Sequence, residues 1–342
     1  MAFKKIVNLK KVFMKKLLTT ALIALAAFTG VKAQQDPAYS MYMFNGLFLN
    51  PAYAGSQEVI SVMAIYRHQW AGLEGAPRTV TASVHTPLRR DQYALGLTLT
   101  NDRIGLANNF TATPSFAYRL RLKGDNRLCF GVQASFSYFY QNNGKAELAD
   151  INNPDNAFSL NENLFVPNVG FGIYAYGKRY FIGASVPHLM PSQLRDKTGV
   201  SGYNTSIARM YNHYLFTAGY VFGKEASIVK FRPSFLMKWQ KGLPKNIPQF
   251  DINLALLFID RVWVGAGYRT AGDGQQSRKY VGQSANAFIN FKATPQLQIG
   301  YCYDAEITAL RKYTTGTHEI MIGYDFWYNK KRFVTPRFVK YF

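Results

Sequence analysis

The sequence predicts an all-β protein, a transmembrane up-and-down antiparallel β-barrel of about 14 strands with an N-terminal plug segment. Three observations carry that expectation. Hydrophobicity alternates residue by residue in short runs, as it does when successive side chains point to opposite faces of a strand. The connectors between runs alternate short and long, as periplasmic turns and extracellular loops do in bacterial barrels. Aromatic residues make up 15% of the chain and charged residues only 17%, which suits a lipid-facing wall with aromatic girdles better than a solvated sheet.

The elements follow in chain order. Lys15 and Lys16 precede an apolar stretch, Leu17 to Phe28, and then Val31-Lys32-Ala33, which reads as an export signal over residues 1–33 with Met14 as an alternative start. No Cys follows the apolar stretch, so a lipoprotein is not expected. The leader holds seven Lys and no acid, so its removal lowers the net charge from +21 to +14. Residues 34–57 are rich in aromatics and Met but lack alternation and are broken by Pro37 and Pro51. A free tail of this kind would expose apolar area, so it is expected inside or under the barrel as a plug. A barrel of this strand number leaves space that something must fill.

The barrel is expected over residues 58–328. Its strands read as 58–68, 79–86, 93–101, 109–122, 127–140, 166–176, 180–187, 212–222, 227–238, 249–259, 261–269, 280–291, 296–304 and 316–328. The pattern is clearest at Leu128 to Gln141, where Leu128, Phe130, Val132, Phe136, Tyr138 and Tyr140 alternate with Cys129, Gly131, Gln133, Ser135 and Ser137. Phe139 breaks the rule. Long loops are expected at Gln69–Arg78, Asn101–Asn108, Gln141–Phe165, His188–Tyr211, Trp239–Pro248, Thr270–Lys279 and Asp304–Thr315. The short turns place both chain ends on the periplasmic side, with a basic tail at 329–342. Cys129 and Cys302 fall on inward faces of strands far apart in order and are read as unpaired.

Charge sorts by side. Short turns and tail carry Arg89, Arg90, Lys178, Arg179, Lys330, Lys331, Arg332 and Arg337 among fourteen cations, against four acids. This basic periplasmic face fits lipid headgroup phosphates or an acidic periplasmic partner. Inside the strands, Arg67, Arg119, Arg121, Lys230, Arg232 and Arg269 share the inward parity of Asp251, Asp304, Glu319 and Asp325. They read as an ion-pair network that fixes the plug, or as an anion path. The first long loop holds Trp70, Gly72 and Pro77, candidates for partner contact, with an interfacial girdle place for Trp70 as the alternative.

The chemistry of catalysis finds little support. The five His are scattered, His318-Glu319 point to opposite faces of a strand with no second His following, and Gly170-Phe171-Gly172 and Gly265-Ala266-Gly267 lack the helix a dinucleotide loop needs. No enzyme activity, no cofactor, no metal and no nucleic-acid partner are expected. The acidic, Asn-rich loop Gln141–Phe165 shows no Ca²⁺-loop spacing.

The opening Gln35-Asp36-Pro37, Met43-Phe44-Asn45 and Asn50-Pro51-Ala52-Tyr53-Ala54-Gly55 is followed by Tyr66-Arg67-His68-Gln69-Trp70-Ala71-Gly72. With Val166-Pro167-Asn168-Val169-Gly170, Gly265-Ala266-Gly267-Tyr268-Arg269, Gly316-Thr317-His318-Glu319 and Thr335-Pro336-Arg337-Phe338, it resembles the PorP/SprF family, outer-membrane proteins of the Bacteroidetes type IX secretion and gliding-motility system. Here the chain runs on through Val339-Lys340-Tyr341-Phe342 past the closing Pro-Arg-Phe element. The resemblance implies an outer-membrane protein that supports secretion or cell-surface attachment of a large adhesin or other client with a C-terminal secretion domain. It also implies contact with periplasmic secretion machinery in one branch. The alternative is a transporter of small apolar molecules of the fatty-acid-channel type, gated by an N-terminal hatch.

Overall fold

A computed structural model describes residues 39–88, 91–141, 162–190, 193–195, 206–209, 212–240, 247–270 and 282–326. Residues 1–38, and with them the expected export signal, Arg89, Arg90, the greater part of the loop after Gln141 and the tail from residue 327 lie outside them. Among the described residues sixteen strands are present: β1 (Ile60–His68), β2 (Arg78–Pro87), β3 (Tyr93–Ile104), β4 (Ala107–Arg121), β5 (Arg127–Gln141), β6 (Glu162–Tyr176), β7 (Tyr180–Val186) and β8 (Gln193–Arg195). They continue with β9 (Ser206–Arg209), β10 (His213–Tyr220), β11 (Val229–Gln240), β12 (Gln249–Phe258), β13 (Val262–Thr270), β14 (Gly282–Lys292), β15 (Leu297–Glu306) and β16 (Thr317–Phe326).

Fourteen of them form one closed antiparallel barrel, with neighbours in chain order and β1 sealed against β16. β8 and β9 make a separate two-stranded hairpin, so β7 pairs with β10. Closure pairs each barrel strand with a neighbour on both sides, the condition for placing backbone N–H and C=O groups in lipid.

The alternation read from the sequence is the alternation of the wall. In β16, Glu319 and Met321 are buried while Ile320, Ile322 and Tyr324 face out. Outward aliphatic residues such as Val132, Ile182, Leu254, Val264, Ile289 and Ile322 form a middle band. Exposed tyrosines flank it at both heights: Tyr93, Tyr118, Tyr180, Tyr220 and Tyr324 near the short turns, Tyr66, Tyr138, Tyr268, Tyr301 and Tyr303 near the long loops. Such rings sit where apolar and wet surroundings meet.

The connectors depart from expectation at one place. Asn101–Asn108 is not a long loop: β3 runs on to Ile104, β4 starts at Ala107, and Gly105-Leu106 alone turn the chain. The polar residues there continue the ladder beyond the apolar band, so β3–β6 stand tall beside the seven-residue β7. The turn after β10 is longer than expected, spanning Val221 to Ile228 with a bridge between Phe222 and Phe231. A short helical turn at Ala309–Lys312 fills part of the last loop. Cys129 and Cys302 are both buried and free.

Residues 39–59 do not join the wall. They make short helical turns at Tyr42–Phe44, Gly46–Leu49 and Pro51–Tyr53. Tyr39, Met41, Tyr42, Leu47, Leu49, Ala52, Tyr53 and Val59 are all at least nine-tenths buried. They pack against inward residues of both halves of the barrel, including Met63, Ile65, Leu236, Leu257, Trp263, Phe288 and Met321 on one side and Tyr174, Tyr176 and Phe181 on the other. Asn50 fixes the middle. Its Oδ1 accepts the Ala52 N–H at 2.9 Å, and its Nδ2 donates to the carbonyls of Ile173 and Ala184 at 2.9 and 3.2 Å. Backbone comes close enough that the wall needs glycine: a Cβ on Gly131 would lie 2.2 Å from the Ala52 nitrogen, and one on Gly172 2.0 Å from Asn50 Oδ1.

Gly131→Val should therefore expel the Asn50–Ala52 contact without removing a wall hydrogen bond. We expect a loss of about 1–3 kcal/mol from overpacking. Limited proteolysis should cut within residues 39–57 in the variant while the barrel keeps its folded migration on unheated gels. Equal protection of that segment in both proteins would contradict this packing.

Candidate functional site

Among the described residues the polar interior divides into three groups. The first lies near the long-loop end. The Arg67 guanidinium pairs with Glu319 and stands 3.9 Å from Asp304. Arg269 donates through Nε to Asp251 Oδ1 at 3.0 Å and through Nη1 to Asp304 Oδ2 at 3.3 Å. All five side chains are nearly inaccessible to solvent. Register explains the meeting: Arg67 faces Glu319 across the β1–β16 seam, Cys302 lies between Glu319 and Phe288 in the next strands, and Asp251 faces Arg269 across β12–β13.

The start of the inner segment is docked onto this group. The backbone N–H groups of Ser40 and Met41 donate to the two carboxylate oxygens of Glu319 at 2.7 and 2.9 Å. Ser40 Oγ donates to Asp304 Oδ2 at 2.7 Å, and Arg269 Nη2 reaches Ser40 Oγ at 3.1 Å. Tyr39 hydrogen-bonds Thr81 through its hydroxyl. Asn253 Nδ2 donates to Tyr42 Oη at 3.0 Å. A segment without a ladder still needs partners for its backbone, and here carboxylates supply them as charge-assisted acceptors.

The expected single network is thus divided. Arg119 belongs to a second group near the short turns, donating to Tyr176 Oη at 2.8 Å and to the Asp91 carbonyl at 3.3 Å, with Glu58 3.9 Å away. Arg232 makes the third, its guanidinium stacked 4.0 Å from the Trp263 ring centroid and 4.9 Å from that of Phe44. Arg232 and Asp325 both line a cleft of about 60 Å³ near the short-turn end, with Asn45, His85, Trp263 and Lys292. Lys230 pairs with Asp260 at 2.5 Å. Arg121 is not inward: its strand has passed the rim, and it pairs with Asp91 at 3.0 Å while more than half exposed.

The loop candidates are also more enclosed than their sequence suggested. Trp70 is half-buried, and its indole N–H donates to Glu306 Oε1 at 2.8 Å. Its backbone N–H reaches Thr317 Oγ1 at 3.1 Å. Ala71 and Thr315 exchange backbone contacts with the opposite loop at 2.8 Å. Pro77 is buried, and of the three candidates only Gly72 is exposed, at φ +96°. The first and last loops are therefore hydrogen-bonded to each other above the β1–β16 seam. On the opposite rim, Lys178 is exposed and pairs with Asp125 at 3.2 Å, and Arg179 is half-buried. Arg89, Arg90, Lys330, Lys331, Arg332 and Arg337 lie outside the described residues.

Glu319→Gln keeps the shape and removes the charge that faces Arg67. Breaking a buried pair costs roughly 3–5 kcal/mol. Lys178→Gln, at an exposed pair, should cost below about 1 kcal/mol. Denaturant unfolding of both variants in detergent tests the contrast, and equal effects would contradict the burial described.

Comparison with curated protein sequences finds no match. Among solved structures, the chain is similar to the CymD monoaromatic hydrocarbon channel, at 12% identity over 82% of this chain and 92% of that one, TM-score 0.47. It is similar to a Pseudomonas aeruginosa FadL homologue, at 12% identity over 87% and 96%, TM-score 0.45. It is also similar to the outer membrane protein Omp33 of Acinetobacter baumannii, at 10% identity over 79% and 98%, TM-score 0.42. The family model of the type IX secretion system membrane protein PorP/SprF matches residues 31–324. The chain, a closed membrane barrel matched over most of its length, belongs to the PorP/SprF family of type IX secretion system membrane proteins.

Proposed function

We propose that this protein is a closed outer-membrane docking platform: it supports secretion or surface attachment of a large client, an adhesin or another protein with a C-terminal secretion domain. Residues 34–57 act as its plug. The observation that carries this reading is the packing of Tyr39 to Tyr53 against inward residues of the wall. Tyr39 to Tyr53 pack against both sides of the wall, and their leading end is held by five buried charged residues. A barrel blocked in this way contributes surface rather than a conduit. The tall β3–β6 wall and the joined first and last loops supply that surface outside. The basic short-turn face, with Lys178 and Arg179, meets lipid phosphates or the periplasmic secretion machinery.

Transport of small apolar molecules is less well supported. Ligand sites for such molecules are typically about 300–1,000 Å³ and largely apolar. The cleft beneath the inner segment is about 60 Å³ and is lined by Arg232, Lys292, Asp325 and three glutamines.

Affinity purification of the tagged chain from membranes, followed by mass spectrometry, should recover a large secreted protein. Deleting the gene should release that protein from the cell surface or block its export. Planar-bilayer recordings should find the intact chain closed and a chain lacking residues 39–57 conducting. A large, permanently open pore in the intact protein, or solute flux without any client, would overturn the reading.

A further inference from the structure

The cleft at the short-turn end runs from the surface to a buried guanidinium. Thr294 and Pro295, exposed in the turn between β14 and β15, line it at one end, and Arg232, only 1% exposed, lines it too. Its strand residues have inward parity: Lys292 follows Phe288 and Asn290, Gln298 precedes Gly300 and Cys302, and Asp325 follows Glu319 and Met321. The wall therefore separates the cleft from lipid, and access is from water on the short-turn side. At about 60 Å³ it exceeds the roughly 10–15 Å³ that one water needs. It has room for a group of a few heavy atoms.

The groups around this space favour an acceptor. Arg232 is held against the rings of Trp263 and Phe44, and the N–H donors of a guanidinium lie in its plane. Asn45, beside Phe44, accepts from Ser83 Oγ through Oδ1 at 3.2 Å. Its Nδ2 is buried and has no acceptor among the described residues. A buried donor in that state calls for a missing partner. His85 Nδ1 accepts the Gly55 N–H at 3.2 Å, so the ring is neutral and carries its proton on Nε2, a further donor. Charge points the same way. Arg232 and Lys292 line the cleft against the single carboxylate of Asp325, which leaves it singly positive among the described residues.

We propose that the cleft is a carboxylate site, which takes one singly charged carboxylate from the short-turn side onto Arg232 and Asn45. An ionised carboxylate only accepts hydrogen bonds, and a guanidinium fork matches its two oxygens. One negative charge balances the cleft. A phosphate dianion would exceed that balance and meet the like charge of Asp325. The carboxylate belongs to a small free acid or to the end of a peptide chain. The cleft admits the group itself and leaves the remainder of the molecule at the rim, beside Thr294 and Pro295. Neither a client nor an open lumen is needed for the site to form.

The test uses the full mature chain in detergent, dialysed against radiolabelled acetate in a buffer free of other carboxylates and of phosphate. Folded migration on unheated gels checks each variant. A ligand of four heavy atoms binds no tighter than roughly 10⁻⁵–10⁻⁴ M, so the titration extends into the millimolar range. One acetate should bind per chain, and phosphate should not displace it. Arg232→Gln should abolish saturable binding. Lys292→Gln should weaken it about tenfold, the worth of one hydrogen bond to a charged group. Asp325→Asn makes the cleft doubly positive and should let phosphate compete. A short peptide with a free C-terminus that displaces acetate, while its amide does not, assigns the source to a chain end. Failure of both to compete assigns it to a small free acid. Displacement by the amide as well overturns the site. No saturable acetate binding would mean that water fills the cleft, and the proposal falls. It falls equally if phosphate displaces acetate from the unaltered chain, or if Arg232→Gln binds like the parent. If Arg232→Gln does not fold, Lys292→Gln decides: unchanged binding there overturns the site.

Discussion

Lipid offers no hydrogen bonds, and that constraint shapes everything else in this molecule. Every backbone N–H and C=O within the bilayer must find a partner in the protein, so the sheet closes on itself. With fourteen strands the closed wall encloses more volume than its own inward side chains fill. The inner segment answers the second problem created by solving the first. It brings Met, Phe and Tyr to the middle of the lumen, where the wall presents Met63, Leu236, Trp263 and Phe288.

Filling a lumen with irregular chain raises the same hydrogen-bond problem on a smaller scale. The segment has no strand neighbour, so its polar backbone is met by single side chains. Glu319 accepts from Ser40 and Met41, Ser185 donates to the Leu49 carbonyl at 2.6 Å, and Asn50 bridges β6 and β7. Glu319 and Ser185 are inward positions of strands, and Asn50 reaches from the segment to the carbonyls of Ile173 and Ala184 in the wall. The charged interior is therefore less a path than a set of fixed points, distributed along the length of the segment.

Much of this was legible from the amino acids. Alternation at Phe250, Ile252 and Leu254 against Asp251 and Asn253 defines inside and outside without coordinates. The same parity identifies Arg67, Asp251, Arg269 and Glu319 as inward. It does not say which of them meet, because that depends on height along each strand and on closure. Arg119 has the right parity but sits at the other end of the lumen, beside Tyr176. Trp70 read as an exposed loop residue because its partner, Glu306, comes from a hairpin more than two hundred residues away. Asn101 to Asn108 looked like a loop because Asn, Asp and Arg are poor lipid-facing residues, yet above the bilayer a ladder tolerates them.

The seam between β1 and β16 joins residue 60 to residue 326 and follows directly on the inner segment. That arrangement orders the protein's birth. Residues 39–59 precede every strand of the wall and are fully surrounded only when the last hairpin arrives, since only then is the cage around them complete. Sequence-distant pairings of this kind close slowly. Assembly of the barrel therefore ends with the β1–β16 edge zipping shut around residues 39–59.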